Sequence, residues 1–392
     1  MTRLLTCLLL ICAFATCADD PTPLREAIAE VKAELAPDSR TDRIEVIIEG
    51  NVARGYTTLP DALPLLEEIF EDYPHYESRV RLLPDSVIGE KKYGIIKVSV
   101  ANLRSRPGHS RELATQALLG TPLELLDQEN DWYLVRTPDR YIAWLESGAF
   151  TPASVEEMID WYEGDLAFYA LPFAETTTTP GGGDVLADPV IGSLVKPLKR
   201  EGAWTQVQLP DGEAGFNRSL MLRPTDNWMD PTGLEVDSLL ASAQQLSGRP
   251  YLWGGTSAKG MDCSGFTKMA YHINGYVIPR DASQQVHAGE EVPLDDQLSA
   301  VQPGDLLFFG SLREDGSQRI THVGFYLGDG RLLHSGADNG RITEDNLLEG
   351  RDNYNAKRRA ALLRAKRLRP GTEGVQTIAE AYQNVYTRSS SR

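Results

Sequence analysis

The chain holds four cysteines, and three of them, Cys7, Cys12 and Cys17, lie in or beside one apolar run at the N-terminus. Cys263 is the one cysteine in the rest of the sequence. No intramolecular disulfide can therefore staple the globular part, and each domain must hold itself together by apolar burial. The composition allows this, with 41% hydrophobic and 24% charged residues, an ordinary globular mix. A length of 392 residues calls for several domains. The formal net charge of −17 repels phosphate backbones and anionic headgroups and argues against nonspecific nucleic-acid binding. A single leftover thiol in such a chain is also a candidate for reactivity.

The apolar run from Leu4 to Ala15 follows Arg3 and leads through small residues into Asp19 and Asp20, the pattern of a secretory signal peptide over residues 1–19. It is too short to span a bilayer, and no second run of about 20 apolar residues follows. The expectation is an exported protein of the periplasm or cell envelope, without an integral membrane span. Phe14-Ala15-Thr16-Cys17 resembles a lipoprotein cleavage box except at Thr16, so Cys17 is a candidate lipid anchor, with simple cleavage nearby as the alternative.

Residues 20–89 read as a mixed segment, helix, strand, helix, at 24–31, 44–48 and 63–70, with no residue set that suggests chemistry. Short alternating strands between turn residues follow at 97–100, 123–126, 132–136 and 141–145, which predicts a small barrel over 90–152. Ala101-Asn102-Leu103-Arg104-Ser105-Arg106-Pro107, Gly120-Thr121-Pro122 and Tyr141-Ile142-Ala143-Trp144 resemble a bacterial Src-homology-3-type barrel. A weaker second copy spans 153–224, interrupted by a Thr- and Gly-rich loop at 176–184. A polar linker at 224–233 leads to a helical pattern at 234–246, and residues 371–392 read as a weakly helical tail with a frayed serine-rich end.

Chemistry concentrates between 234 and 370. Glycines precede Asp262-Cys263-Ser264-Gly265-Phe266, and 263–271 reads as a helix buried on one face, with Cys263 in its first turn. There the unpaired N–H groups and the helix dipole are expected to lower the thiol pKa. A base could come from His322 or His334, on two strands joined at Gly328-Asp329-Gly330. Parity separates two registers. A two-residue loop pairs 328 with 331 and sends the histidines to opposite faces, whereas a three-residue loop sets His334 opposite Gly324, on the face of His322 and diagonal to it. One cysteine and two histidines also offer three zinc ligands, but the close spacings of zinc motifs are missing, and no metal or other cofactor is expected.

Tyr-x-Trp-Gly-Gly at 251, Asp-Cys-Ser-Gly-Phe at 262, Pro-Arg-Asp-Ala-Ser-x-Gln at 279, Pro-Gly-Asp-Leu at 303, His-Val-Gly-Phe-Tyr-Leu-Gly at 322 and His-Ser at 334 occur in the order found in the NlpC-type bacterial cell-wall cysteine peptidases, which this region resembles. The resemblance implies an α+β, papain-like domain at 234–370. It also implies Cys263 as nucleophile, His322 as general base and acid, and His334 as the group orienting His322. With its barrels the chain resembles the subgroup acting on γ-D-glutamyl–diamino acid bonds of peptidoglycan stem peptides. Tyr251 then becomes a candidate oxyanion donor, and Asp262, Ser264, Arg280 and Asp281 candidate substrate contacts, with Arg280 on the D-glutamyl carboxylate. Glu112 and Tyr141 of the first barrel match positions gripping a free L-Ala ammonium. A monomer is expected. The competing expectations are a binding protein on the same fold and a cysteine acyltransferase.

Overall fold

Apolar residues recur three to four apart at Leu24 and Ile28 and at Ala62, Leu66 and Phe70, and both stretches form helices, α1 (Thr22–Leu35) and α2 (Ala62–Asp72). The computed structural model describes residues 20–387. The expected signal peptide, Cys17 and the serine-rich end lie outside the described residues. The chain divides between Leu82 and Leu83 into two units. In the first, β1 (Ile44–Glu49) pairs antiparallel with β2 (Val52–Thr57), and β2 pairs parallel with β3 (Glu77–Leu82). Leu24, Ile44, Ala53 and Leu66 close its core. The division falls at 82 and not at 89 because the Asp85 N–H donates to the Leu126 carbonyl, attaching residues 83–89 to the following barrel.

In the second unit, β4 (Tyr93–Ile96), β5 (Val100–Arg104), β6 (Leu113–Leu118), β7 (Pro122–Glu129), β8 (Trp132–Arg136), β9 (Ile142–Glu146) and β10 (Phe150–Ala153) form an antiparallel sheet in the order β10-β4-β7-β8-β9-β5-β6. It closes around Ile96, Leu103, Leu123 and Val135. Of the strand expected at 97–100, residues 97–99 are instead a break, and Val100 already begins β5. Ile96 and Ala101 both join the barrel core although an odd number of residues apart, whereas in a continuous strand they would face opposite sides. Next comes α3 (Val155–Tyr162), started by a capping box of Ser154 and Glu157. The second barrel follows with β11 (Ala167–Tyr169), β12 (Thr176–Thr179), β13 (Gly182–Ala187), β14 (Leu194–Glu201), β15 (Trp204–Gln208), β16 (Ala214–Arg218) and β17 (Leu222–Pro224). The supposed loop at 176–184 forms the β12–β13 hairpin.

The remaining chain is α+β. A short helix, α4 (Asp226–Met229), interrupts the polar linker, and α5 (Val236–Gln245) follows. The hairpin of β18 (Thr256–Ser257) and β19 (Gly260–Met261) delivers the chain to α6 (Cys263–Ile273). Beyond it lie β20 (Tyr276–Val277), α7 (Ala282–Gln285), β21 (Glu290–Val292), β22 (Leu306–Leu312), β23 (Gln318–Gly328), β24 (Arg331–Gly336), β25 (Arg341–Asn346), α8 (Ala356–Ala360), β26 (Leu362–Arg367), β27 (Gln376–Thr377) and α9 (Ile378–Thr387). The central sheet runs β21-β26-β22-β23-β24-β25. Among the described residues no helix is long and apolar enough to cross a membrane.

Helix α6 is buried nearly all round, not on one face. Phe266 and Tyr271 pack on Phe325 of β23. Its other side faces the barrels: Lys268 pairs with Asp139 of the first at 2.6 Å, and His272 Nε2 lies 3.2 Å from the Gly192 carbonyl of the second. The tail is also a packed element. Ile378, Ala381, Tyr382 and Val385 of α9 join Met158, Trp161 and Trp228 in one cluster. Tyr382→Ala should therefore lower the unfolding free energy by about 3–5 kcal/mol in urea titrations, the cost of emptying a large aromatic site. A change below about 1 kcal/mol would mean that α9 does not belong to the core.

Candidate active site

Asp262 caps α6. Its Oδ1 accepts the Gly265 N–H at 2.7 Å, and its Oδ2 accepts the Gly254 N–H at 3.0 Å. Gly254 is required there twice over. Its φ is +77°, and a Cβ would lie 2.1 Å from the Leu113 carbonyl of the first barrel. Fully buried Arg280 grips the same carboxylate, with Nη2 to Oδ2 at 2.7 Å and Nη1 to Oδ1 at 3.1 Å. Nη1 also donates to Ser264 Oγ at 2.9 Å and Nε to Thr115 Oγ1 of β6 at 3.0 Å. Burial opposes the guanidinium charge, but Asp262 more than offsets this and raises the Arg280 pKa above its ordinary value. The fork expected to hold a substrate carboxylate is thus filled by Asp262, and Arg280 ties the first barrel to the start of α6.

The backbone N–H groups of Val323, the residue after His322, and of Ser264 lie near enough to the Cys263 sulfur to favour its thiolate. The helix start expected for Cys263 is present, yet the thiol pKa is pushed up, not down, to about 12. Burial is the main cause and the Asp262 carboxylate the second; the two N–H groups and Arg280 pull the other way without prevailing. His322 is pushed well below its ordinary value, first by burial, then by the Arg358 guanidinium and by His334. At neutral pH the resting pair is a thiol and a neutral imidazole. Tyr251 lies close enough for the Cys263 sulfur to help burial raise its phenol pKa to about 12.

His322 Nε2 and His334 Nδ1 are 3.0 Å apart, and the rings meet edge to face. The hairpin reaches this by neither register alone. Gly328 pairs with Arg331 around a two-residue turn, and a bulge at Leu327 then restores Tyr326 to Leu332 and Phe325 to Leu333. That shift sets Gly324 beside His334, where a Cβ would stand 2.8 Å from the His334 Cβ. Behind the pair, His334 Nε2 lies 3.0 Å from Asp345 Oδ2, which accepts from Asn355 Nδ2 at 2.7 Å.

Residues 248–359 match the model of the NlpC/P60 family, and residues 103–150 match that of the bacterial dipeptidyl-peptidase Sh3 domain. The C-terminal half carries an NlpC/P60 domain. A γ-D-glutamyl-L-lysine dipeptidyl-peptidase of Bacillus cereus is 29% identical over 247 residues, 58% of this chain and 68% of the relative. Dipeptidyl-peptidase 6 of Lysinibacillus sphaericus is 29% identical over 266 residues, 65% of this chain and 92% of the relative. The crystal structure of an NlpC/P60 family protein from Bacillus cereus superposes with a TM-score of 0.60 at 25% identity, covering 70% of this chain and 99% of that one.

Around the NlpC/P60 domain the remaining candidates divide. Asp262 and Ser264 join Arg280 in one buried network, while Asp281 caps α7 with Gln284 and stays partly exposed. Exposed Glu112 accepts a hydrogen bond from Trp253 Nε1 at 2.7 Å, which brings the first barrel to the loop carrying Tyr251. Tyr141 is buried in the barrel interior. Asp345 and Asn355 escaped the sequence reading. Thr343 pairs with His334, so Asp345, two residues on, shares its face, a deduction open to anyone who knows the β24–β25 register. Arg280→Ala would leave the Asp262 charge buried and unpaired and should cost about 3–5 kcal/mol of stability by chemical denaturation. A loss under about 1 kcal/mol would contradict that role.

Proposed function

We propose that this chain is an exported cell-wall peptidase that hydrolyses the γ-D-glutamyl–diamino acid bond of peptidoglycan stem peptides and favours stems with a free L-Ala amino end. The Cys263–His322–His334 constellation inside an NlpC/P60 domain carries this reading. The relatives' names support the bond, being a γ-D-glutamyl-L-lysine dipeptidyl-peptidase and a dipeptidyl-peptidase. Glu112 at the Trp253 loop supports the amino-end preference.

His322 takes the thiol proton as the Cys263 sulfur attacks the γ-carbonyl carbon, since neither group is charged beforehand. The Cys263 N–H and the Tyr251 hydroxyl stabilise the oxyanion. Collapse breaks the C–N bond, His322 protonates the departing amine, and the acyl group remains on sulfur as a thioester. Water, deprotonated by His322, then attacks, and the thiol recovers its proton.

Mass spectrometry of products from a panel of defined stem peptides tests the substrate. L-Ala-γ-D-Glu-L-Lys and its diaminopimelate counterpart should yield L-Ala-D-Glu and the free diamino acid, while acetylated or muramyl-linked amino ends should be cut poorly. Acetylation should hurt the wild type more than Glu112→Ala. Equal cleavage of blocked and free stems would contradict the amino-end preference, and activity retained in Cys263→Ser would overturn the nucleophile. The pH profile is also fixed. Only neutral His322 accepts the thiol proton, and lowering its pKa preserves that form to lower pH, so kcat/KM should stay level from neutrality to 6.5 and fall only below. An acid limb centred above 6.5 would contradict the buried neutral base.

A further inference from the structure

We propose that Asp345, separated from the sulfur by two imidazole rings, fixes the tautomer of His322 and thereby leaves its Nδ1 lone pair for the Cys263 thiol. The proposal rests on reading Cys263 and His322 as nucleophile and base, and it adds a positioning residue to them.

It follows from counting protons. Asn355 Oδ1 accepts the Arg358 N–H at 2.9 Å as the cap of α8, which fixes the orientation of that amide. Nδ2 must then face Asp345 and donate to its Oδ2 at 2.7 Å. Burial works against the Asp345 charge, but the His334 and Asn355 hydrogen bonds and nearby Arg358 outweigh it and keep the carboxyl ionised. An ionised carboxylate can only accept, so the hydrogen of its 3.0 Å contact belongs to His334 Nε2. A neutral imidazole carries a single N–H, which leaves His334 Nδ1 a bare acceptor. The hydrogen of the 3.0 Å contact between the rings therefore belongs to His322 Nε2. By the same count His322 Nδ1 is bare, and it is the ring nitrogen that the His334 contact leaves available to the thiol.

Burial and a neighbouring cation agree with a neutral His322. Arg358 of α8, whose Nη2 lies 3.1 Å from Asp338 Oδ2, opposes a further proton on His322, as does burial. His334 of β24 is the titratable group that meets His322 ring to ring, and the Cys263 sulfur of α6 lies by the backbone of the next residue, Val323. Without an acceptor at 345, His334 is free to carry its hydrogen on Nδ1. His322 would then accept at Nε2 and hold its proton at Nδ1, where no lone pair remains for the thiol. A carboxylate behind an imidazole has this tautomer-fixing role in other nucleophilic hydrolases, with one ring between the carboxylate and the nucleophile where this protein has two.

Nitrogen-15 spectra of the full chain with labelled histidine, free of substrate, read the tautomers directly. The wild type should show His322 and His334 both protonated at Nε2 and bare at Nδ1, and Asp345→Ala should lose that pattern. In kinetics with L-Ala-γ-D-Glu-L-Lys, Asp345→Ala should lower kcat on the order of 100-fold with KM moved less than about threefold. Asp345→Asn keeps an oxygen for His334 and Asn355, so it should retain the tautomers and more of kcat than Asp345→Ala. A wild-type spectrum with the proton on His322 Nδ1, or an Asp345→Ala variant whose tautomers and kcat match wild type within about threefold, would overturn the proposal. If the wild type leaves the peptide uncut while its spectrum shows the expected tautomers and Asp345→Ala loses them, the proposal stands and the substrate reading fails.

Discussion

A guanidinium sealed from water beside a carboxylate sets the geometry of everything around Cys263. Removing Arg280 and Asp262 from solvent costs several kcal/mol per ion, and the pair is tolerable because all three guanidinium nitrogens and both carboxylate oxygens are hydrogen-bonded. Those bonds organise the site. Asp262 receives the Gly254 and Gly265 N–H groups and so fixes the turn before α6 and its first residue, while Arg280 reaches Ser264 and Thr115. The Thr115 contact, with Gln116 Oε1 accepting the Thr256 N–H at 2.9 Å, makes the first barrel a wall of the same construction. The barrel and the catalytic helix are therefore one mechanical unit, which accounts for α6 being buried on almost every side.

The same sealing shapes the electrostatics. Burial penalises the thiolate of Cys263 and the imidazolium of His322 alike, and Asp262 adds to the penalty on the sulfur. A preformed ion pair is disfavoured, so proton transfer must accompany attack on the substrate carbonyl. A base in such a site works only if its lone pair already faces the thiol, because no charge on the sulfur would draw the ring into place. The chain from His322 through His334 and Asp345 to Asn355 addresses that need, and α8 anchors its far end through the cap at Asn355.

Much of this was legible in the residue string. The turns before Cys263, the helix that begins at it and the strands carrying His322 and His334 were readable because glycines and alternating apolar residues are local features, while the domain itself was recognised from the order of its motifs. What was missed depended on distant partners. The hairpin combined a two-residue turn with a bulge at Leu327, and no local rule announces a bulge. Arg280 could have served a substrate or Asp262 equally well, since both offer the same planar acceptor pair. The thiol pKa was misjudged because a helix N-terminus is visible in sequence whereas the depth at which it is buried is not. Asp345 required the register across the 337–340 turn. In α9 the buried positions Ile378, Ala381, Tyr382 and Val385 follow a helical spacing, but their partners Trp161 and Trp228 lie some 150 or more residues earlier in the chain.

The central claim is that a buried, uncharged Cys263 becomes the acyl carrier. Intact-protein mass spectrometry after acid quenching during turnover of L-Ala-γ-D-Glu-L-Lys tests it most directly, followed by peptide mapping of the adduct. The account predicts a transient L-Ala-D-Glu acyl group in thioester linkage on Cys263 and on no other residue. Turnover with no covalent adduct at any quench time, or an adduct mapped to a different side chain, would contradict it.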